Sequence, residues 1–598
     1  MKSNKVTPTR DSRGDESTPE ATWQQAVPLS EIAIGERYLF REDKRRIAVF
    51  RIAGDEFYAI DDACPHEGYP LVKGSVDGKT LTCQWHNFKF ELSSGKCLKG
   101  NENVRSYEVR VHNGAVEINL AEELVSKKIA EREMSLREGL RLRRMGQVAR
   151  DCVRLLQLGV TADEVAYLAV KYDAEVSEFG TTHVLPVVVD SLAVLERYPG
   201  LEAVVPILQG MELAADSHMR QPDRETSQID DVQIDMSETM IFRELRELVE
   251  GEKASEAEAL LSAAIKSGVH SKVIENWFYH LCSDHFLGFG HALIYTQKAF
   301  ELLGKLGWHK AIEILPALLF GIVNQTREEL VPEWKWFCIR LAGIEAKLSE
   351  MYDAPSRIAE EKEVSELSRI LLDGSRIEAF DALVSAFRSG LVRDSIVDAI
   401  SLAAAERILR FDPAIDASST VQEGWLAVTH ILTFASAVRH SLERFKQPEV
   451  LKLLLFAGRF VNNAKALDLK IGERLSLEVE PHGAVTLNEV TEAVAEQGAQ
   501  RAISYVIGYC KDSQRSTQLR AFCEDFAMSD QQSKPIVVGH LIKTCRVAFE
   551  EAHATGELTP ILAFVKIAAS PIRQRWITRF AHEAISFLEH GKVPRTLT

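Results

Sequence analysis

A chain of 598 residues is too long for one hydrophobic core, and about three to five domain-sized units are expected. Its formal net charge of −16 argues against nucleic acid or an anionic membrane surface as the main partner. With no run of about eighteen apolar residues nothing is expected to insert into a membrane, and the polar start Met1-Lys2-Ser3-Asn4-Lys5 lacks a signal peptide's apolar stretch. The nine cysteines show no disulfide-framework spacing, so a reducing, cytoplasmic setting is the expectation.

Residues 1–25 are rich in Ser, Thr, Pro and charge and read as a disordered tail. A small all-β domain follows over 26–120. Arg46–Ile52, the turn Gly54-Asp55 and Phe57–Ile60 form a hairpin pattern whose second strand delivers the chain to Cys64. Near the end of this domain Tyr107–Val111 and Val116–Ile118 flank Asn113-Gly114, a two-residue hairpin signal.

Between these hairpins lie Cys64-Pro65-His66 and, after sixteen intervening residues, Cys83-Gln84-Trp85-His86. Each half offers one thiolate and one imidazole on a loop tip. A [2Fe–2S] cluster with two cysteines on one iron and two histidines on the other needs this donor set, and its imidazoles raise the potential above that of an all-cysteine cluster. Zinc also takes Cys and His, but its sites usually use closer-spaced pairs. Cys97 reads as a small apolar residue and not as a ligand.

These residues resemble the Rieske motif. His86-Asn87-Phe88-Lys89-Phe90 and Ser94-Gly95-Lys96-Cys97-Leu98 match the flanking pattern of Rieske ferredoxins and Rieske oxygenases. The respiratory members of that family carry two further cysteines that link the loops. Tyr69 and Trp85 occupy those neighbourhoods here, so no loop disulfide is expected. The resemblance implies a [2Fe–2S] cofactor on Cys64, His66, Cys83 and His86, with electrons supplied by a separate reductase.

After Ala121 the pattern becomes almost entirely helical, unlike the largely β catalytic domain that follows the cluster domain in Rieske oxygenases. Residues 121–137 read as a linker helix, 138–365 as one all-α half and 366–598 as a second. The halves are inferred from a repeat. Four segments, at Thr182-His183, Gly290-His291, Thr429-His430 and Gly539-His540, each run from a histidine into an apolar helix. Twelve residues beyond His183 and His430 come Leu195-Glu196-Arg197-Tyr198 and Leu442-Glu443-Arg444-Phe445. Eight residues beyond His291 and His540 come Ala299-Phe300-Glu301 and Ala548-Phe549-Glu550. The first unit thus matches the third and the second the fourth, at an interval of about 250 residues. Each unit also has an acid before its histidine: Asp173, Asp284, Asp412 and Asp525, with Glu524 competing for the last.

If the units pack about a pseudo-twofold axis, His183, His291, His430 and His540 converge on a second centre, a non-haem iron or manganese. The physical motive is that a Rieske cluster passes single electrons and leaves no open position for oxygen or substrate. The alternative is that each histidine is a hydrogen-bonded packing residue and each acid a helix-end residue. No paired Glu-x-x-His motif of di-iron bundles occurs, and His-Glu-x-x-His is absent. His280, Asp284 and His285 add a dense local group of ligand types, with His280 and Asp284 on one helical face. The spacing His280-x4-His285 matches the iron site of Rieske oxygenases only superficially, because Trp277 stands where that family has Asp or Asn.

Phe289-Gly290-His291-Ala292-Leu293-Ile294 and Gly539-His540-Leu541-Ile542-Lys543 loosely resemble the helical questin oxidase-like proteins. That resemblance implies oxygen chemistry on a polycyclic or aromatic compound and places no catalytic residue. The expected protein is therefore multidomain, a small all-β Rieske domain followed by a large all-α domain of two tandem halves and four helical units. Its expected activity is oxidation or oxygenation of a small organic substrate in the helical part. The rival expectation is a ferredoxin-like electron carrier whose helices are a docking scaffold for a partner enzyme.

Overall fold

The computed structural model describes residues 20–224, 236–286, 288–325, 327–417, 424–477, 485–511, 515–529, 532, 534–571 and 576–592. Two compact units divide the chain after Val160. Among the described residues no helix is long and apolar enough to cross a membrane.

Among the described residues the first unit holds eleven strands in three antiparallel sheets. The outer sheet has the order β1 (Trp23–Pro28), β11 (Ala115–Asn119), β10 (Val109–His112). A second sheet runs β2 (Arg37–Glu42), β3 (Arg45–Ala53), β4 (Glu56–Asp61), β9 (Ser106–Tyr107). The third, which carries the cluster motif, runs β5 (Ser75–Asp77), β6 (Thr80–Thr82), β7 (Lys89–Glu91), β8 (Cys97–Lys99). The expected hairpins are β3–β4, with Val49 opposite Ala59, and β10–β11. Asn113 and Gly114 both take positive φ, 49° and 76°, the conformation that matches a tight turn to the strand twist.

The tail expectation needs a correction at its end. Trp23, Gln24 and Gln25 pair with Asn119, Ile118 and Glu117 in β1, because the free edge of β11 offers them backbone partners. Residues 1–19, the rest of that expectation, lie outside the described residues.

The linker boundary shifts as well. Helices α1 (Val125–Arg141) and α2 (Met145–Gln157) pack on each other within the first unit, so this unit extends beyond 120 and past the expected boundary at 137.

The second unit is helical. Its centre is a ring of four helices, Val184–Leu192, His291–Leu306, Gly424–Arg444 and Pro535–Thr555, each packed on the next and the last on the first. The repeat-related pairs, first with third and second with fourth, therefore stand diagonally across the ring. A twofold relation between two halves gives that arrangement. One expectation is corrected in detail. His183 and His291 stand at helix starts, but His430 and His540 lie inside their helices, which begin upstream at Gly424 and at Pro535. Pro535 suits a first-turn position because its missing N–H has no intrahelical partner to lose.

Candidate metal centres

The two loops of the first centre share one backbone pattern. The Cys64 N–H donates to the Tyr69 carbonyl at 2.9 Å and Gly68 N–H donates back to the Cys64 carbonyl at 2.7 Å. The Cys83 N–H donates to Phe88 at 2.8 Å and Asn87 N–H returns to Cys83 at 3.1 Å. Closing each loop requires a left-handed residue at the same place, Gly68 at φ 74° and Asn87 at φ 58°.

The sulfurs and imidazoles are segregated. Cys64 and Cys83 sit in an apolar cluster with Phe50, Ile60, Leu81 and Phe90, whereas His66 and His86 keep 24% and 39% of their side chains exposed. The two imidazoles meet edge to face with centroids 4.7 Å apart, and Phe88 stacks on His66 at 4.6 Å. Tyr69 and Trp85, in the neighbourhoods of the absent loop cysteines, meet edge to face at 5.4 Å. All nine cysteines are free of disulfides.

Burial, with Cys83 alongside, pushes the Cys64 thiol up to about 12. Two thiolates buried together are costly without a compensating cation, and an iron pair supplies one. The donor set and its segregation fit a [2Fe–2S] group.

The second centre lies at the middle of the helical ring. The His430 Nε2 atom stands 2.8 Å from His291 Nε2, 3.3 Å from His183 Nε2 and 3.3 Å from His540 Nε2. Ligand nitrogens of His183, His430 and His540 all lie within 4.8 Å of one another. The tautomer of His540 follows from its other nitrogen. Its Nδ1 lies 2.7 Å from the Ile536 carbonyl, which can only accept, so Nδ1 carries the proton and Nε2 presents a lone pair to the centre.

One imidazole N–H on His430 could serve at most one of its three neighbours well. The remaining approaches would set lone pair against lone pair or N–H against N–H, whereas a metal ion accepts a lone pair from each nitrogen. Metal–imidazole bonds of about 2.0–2.1 Å place neighbouring nitrogens at about the separations seen here. Burial lowers the pKa of all four imidazoles, that of His291 to about 3, with nearby Lys543 adding to the effect. Neutral imidazole is the form that binds metal.

Three side chains at this centre were not anticipated. The Tyr295 hydroxyl lies 3.1 Å from His183 Nδ1, and its ring stacks on His291 at 5.1 Å. Lys543 is buried with no hydrogen-bond partner for Nζ among the described residues, and burial brings its pKa down to about 7. Phe289 lies over His430 at 5.9 Å. Tyr295 and Lys543 sit four and three residues beyond His291 and His540, so helical periodicity was the available signal.

The other proposed donors are elsewhere. Asp284 is held by Arg246 through two hydrogen bonds of 2.7 and 2.8 Å. His280 packs between the rings of Phe242 and Phe445. His285 faces Glu328 and Glu250, each at 3.2 Å. The helix Ser271–Asp284 ends before the turn that delivers His291, so its ligand-type face meets neighbouring helices instead of the centre. Nor do the remaining acids join the centre. Asp173 accepts from Thr182 and His218, Asp412 from the Ala414 N–H, Asp525 from Arg197 and Tyr198, and Glu524 from Arg197 and Arg520. They act as turn and ion-pair residues.

A three-sheet β domain with paired Cys and His loops defines a Rieske-type redox domain. Residues 22–111 match the Rieske [2Fe-2S] domain family. The ferredoxin component of the naphthalene 1,2-dioxygenase system of Pseudomonas putida is 30% identical over 101 residues, 17% of this chain and 96% of that protein. The ferredoxin subunit of an Escherichia coli 3-phenylpropionate/cinnamic acid dioxygenase is 35% identical over 100 residues, 16% of this chain and 92% of its own length. A 4beta-methylsterol monooxygenase of Methylococcus capsulatus is 35% identical over 81 residues, 12% of this chain and 22% of that enzyme. The chain belongs to the Rieske [2Fe–2S] family through this domain, which binds a [2Fe–2S] cluster and transfers electrons.

Proposed function

We propose that the chain is a two-centre oxidoreductase that oxidises or oxygenates a small organic substrate in its helical unit, with electrons received through the Rieske domain. Cys64 and Cys83 hold one iron of the cluster and His66 and His86 the other. A bound [2Fe–2S] cluster takes up and releases one electron at a time. His183, His291, His430 and His540 hold a non-haem iron or manganese. The observation that carries this reading is the approach of three imidazoles to the buried His430 Nε2, with ligand nitrogens of His183, His430 and His540 all within 4.8 Å of one another. Within that centre His540 is oriented by Ile536 and His183 by Tyr295, as metal-binding histidines commonly are by partners at the other ring nitrogen. The aromatic rings of Phe289 and Tyr295 beside the buried imidazoles suit an apolar substrate. A separate reductase is the electron donor, and the setting is cytoplasmic.

A second reading is favoured by two of the relatives, which are ferredoxin components of dioxygenase systems. In it the chain delivers electrons to a partner enzyme, and the helices dock that partner. Metal analysis of purified chain separates the two. The two-centre reading expects about two irons for the cluster and one further metal that His430→Ala removes while the cluster remains. A chain with cluster iron alone, unchanged by His430→Ala, would leave the carrier reading.

A further inference from the structure

Helix α2 reaches back to the first loop of the cluster motif. The Arg154 Nη2 donates to the Pro65 carbonyl at 2.8 Å, and Pro65 is the residue between Cys64 and His66. The guanidinium is held from behind by two buried carboxylates. Its Nη1 donates to Glu102 at 3.1 Å and to Asp151 at 2.8 Å. Arg150 completes the group with bonds of 3.1 and 2.5 Å to the two oxygens of Glu102. Glu102 and Asp151 are 1% and 0% exposed, so water does little to screen the array.

Neighbouring bonds fix the same junction. Arg144 donates to the Gly100 carbonyl at 2.7 Å, and Ser135 donates to Asp151 at 2.6 Å. A cleft of about 430 Å³ beside His66 and His86 is lined by Phe88, Lys99, Arg144 and Arg150. The helical hairpin thus forms one wall beside the exposed imidazoles.

We propose that Arg154 is a positioning residue for the [2Fe–2S] centre, and that the Arg154–Glu102 pair sets its reduction potential. This rests on the assignment of Cys64 and His66 as ligands. Two effects follow from the geometry. The hydrogen bond to Pro65 fixes the peptide that joins the two ligands and so the direction in which His66 is presented. The charge acts as well. Reduction adds one negative charge to the centre, which a nearby guanidinium stabilises and a nearby carboxylate opposes, and charge and hydrogen bonding are what tune such clusters.

The two members of the pair must therefore act in opposite directions. Arg154→Gln removes the cation and should make the cluster harder to reduce. Glu102→Gln keeps the shape, removes the anion and should make it easier to reduce. An expected change of about tenfold in the reduced-to-oxidised ratio at fixed potential corresponds to about 59 mV for a one-electron couple. Arg154→Lys retains the charge and should recover most of the shift. A residue with a purely structural role would destabilise the domain in both variants without this opposition of sign.

The test is a dye-mediated potentiometric titration of the full chain, followed by electron paramagnetic resonance, with iron and sulfide counted on every sample. A lower midpoint in Arg154→Gln and a higher one in Glu102→Gln, with the cluster retained, support the proposal. If Arg154→Gln loses its cluster, the sign in Glu102→Gln decides. Unmoved midpoints, or shifts in one common direction, overturn the proposal and leave the ligand assignment intact. A wild-type chain with no cluster overturns both.

Discussion

His291 and His430 face each other nitrogen to nitrogen at 2.8 Å, although 139 residues of chain separate them. His430 makes the same approach to His183 and His540, so it is the hub of the buried centre. Replacing the hub removes the one nitrogen that all three partners share. His430→Ala is expected to lower the content of the second metal by at least about tenfold, while the Rieske absorbance and cluster iron stay unchanged. Metal analysis on variant and wild-type chains checks this. A variant that keeps its full metal content would remove His430 from the ligand set.

Tyr295 touches the same centre at one remove, through the far nitrogen of His183. Tyr295→Phe keeps the ring stacked on His291 and deletes only the hydroxyl. Losing such a partner costs about 10- to 100-fold in metal affinity or activity in comparable sites. Chelator-competition titration should find the weaker binding, with thermal stability nearly unchanged.

Asp173, the acid that precedes the first histidine of the repeat, organises the approach to that histidine. Its carboxylate accepts from Thr182 N–H at 2.9 Å, Thr182 Oγ1 at 2.6 Å and His218 Nε2 at 2.7 Å, and His183 is the next residue after Thr182. Asp173→Ala strands buried groups on both sides of the turn. The expected cost is roughly 1–3 kcal/mol for each polar group left unsatisfied. Urea unfolding would read that loss, and metal content should fall with it because His183 is no longer held.

What could be read from the chain follows the range of the interactions. The cluster loops and the Asn113-Gly114 turn are specified by neighbours in sequence, so spacing was enough to place them. The four histidine segments could be picked out because they share one local pattern, although each histidine alone resembles a packing residue. Long-range pairing was not legible. Asp284 looks like a ligand beside His280 until Arg246, 38 residues away, occupies both its oxygens. Likewise α2 reads as the start of the helical part, because nothing local announces that Arg150 and Arg154 meet Glu102 about 50 residues earlier.

The buried imidazoles also fix a pH dependence in the metal-free protein. An unfolded histidine takes up a proton below about 6.5, whereas burial holds folded His291 neutral down to about 3. Between these values the unfolded chain binds the extra proton. The folded state therefore keeps its full stability above about pH 6.5 and loses it as pH falls, by about 1.4 kcal/mol per pH unit for this one group. Urea midpoints of the helical unit should decline between pH 6.5 and 5, and His291→Leu should flatten that decline. An equal slope in wild type and variant would contradict the burial assigned to this imidazole.

Gly290 precedes His291 in a left-handed conformation, φ 78°, and a Cβ placed there would stand 2.2 Å from the Phe434 ring. Two penalties combine in Gly290→Ala: the side chain is strained at that φ, and the ring has to give way. Phe434 cannot move cheaply, because it packs edge to face on Phe286 at 5.1 Å and contacts Phe460. The expected destabilisation is about 2–3 kcal/mol, larger than that of an ordinary glycine replacement in a turn. Displacement of the turn also carries His291 with it. The variant should therefore lose second-centre metal along with stability, and the Rieske spectrum should be untouched. Gly268→Ala is the control, since Gly268 has a similar φ of 83° and open space where its Cβ would be. If the two variants lose equal stability and both keep their metal, the approach of Phe434 to Gly290 does not position the histidine.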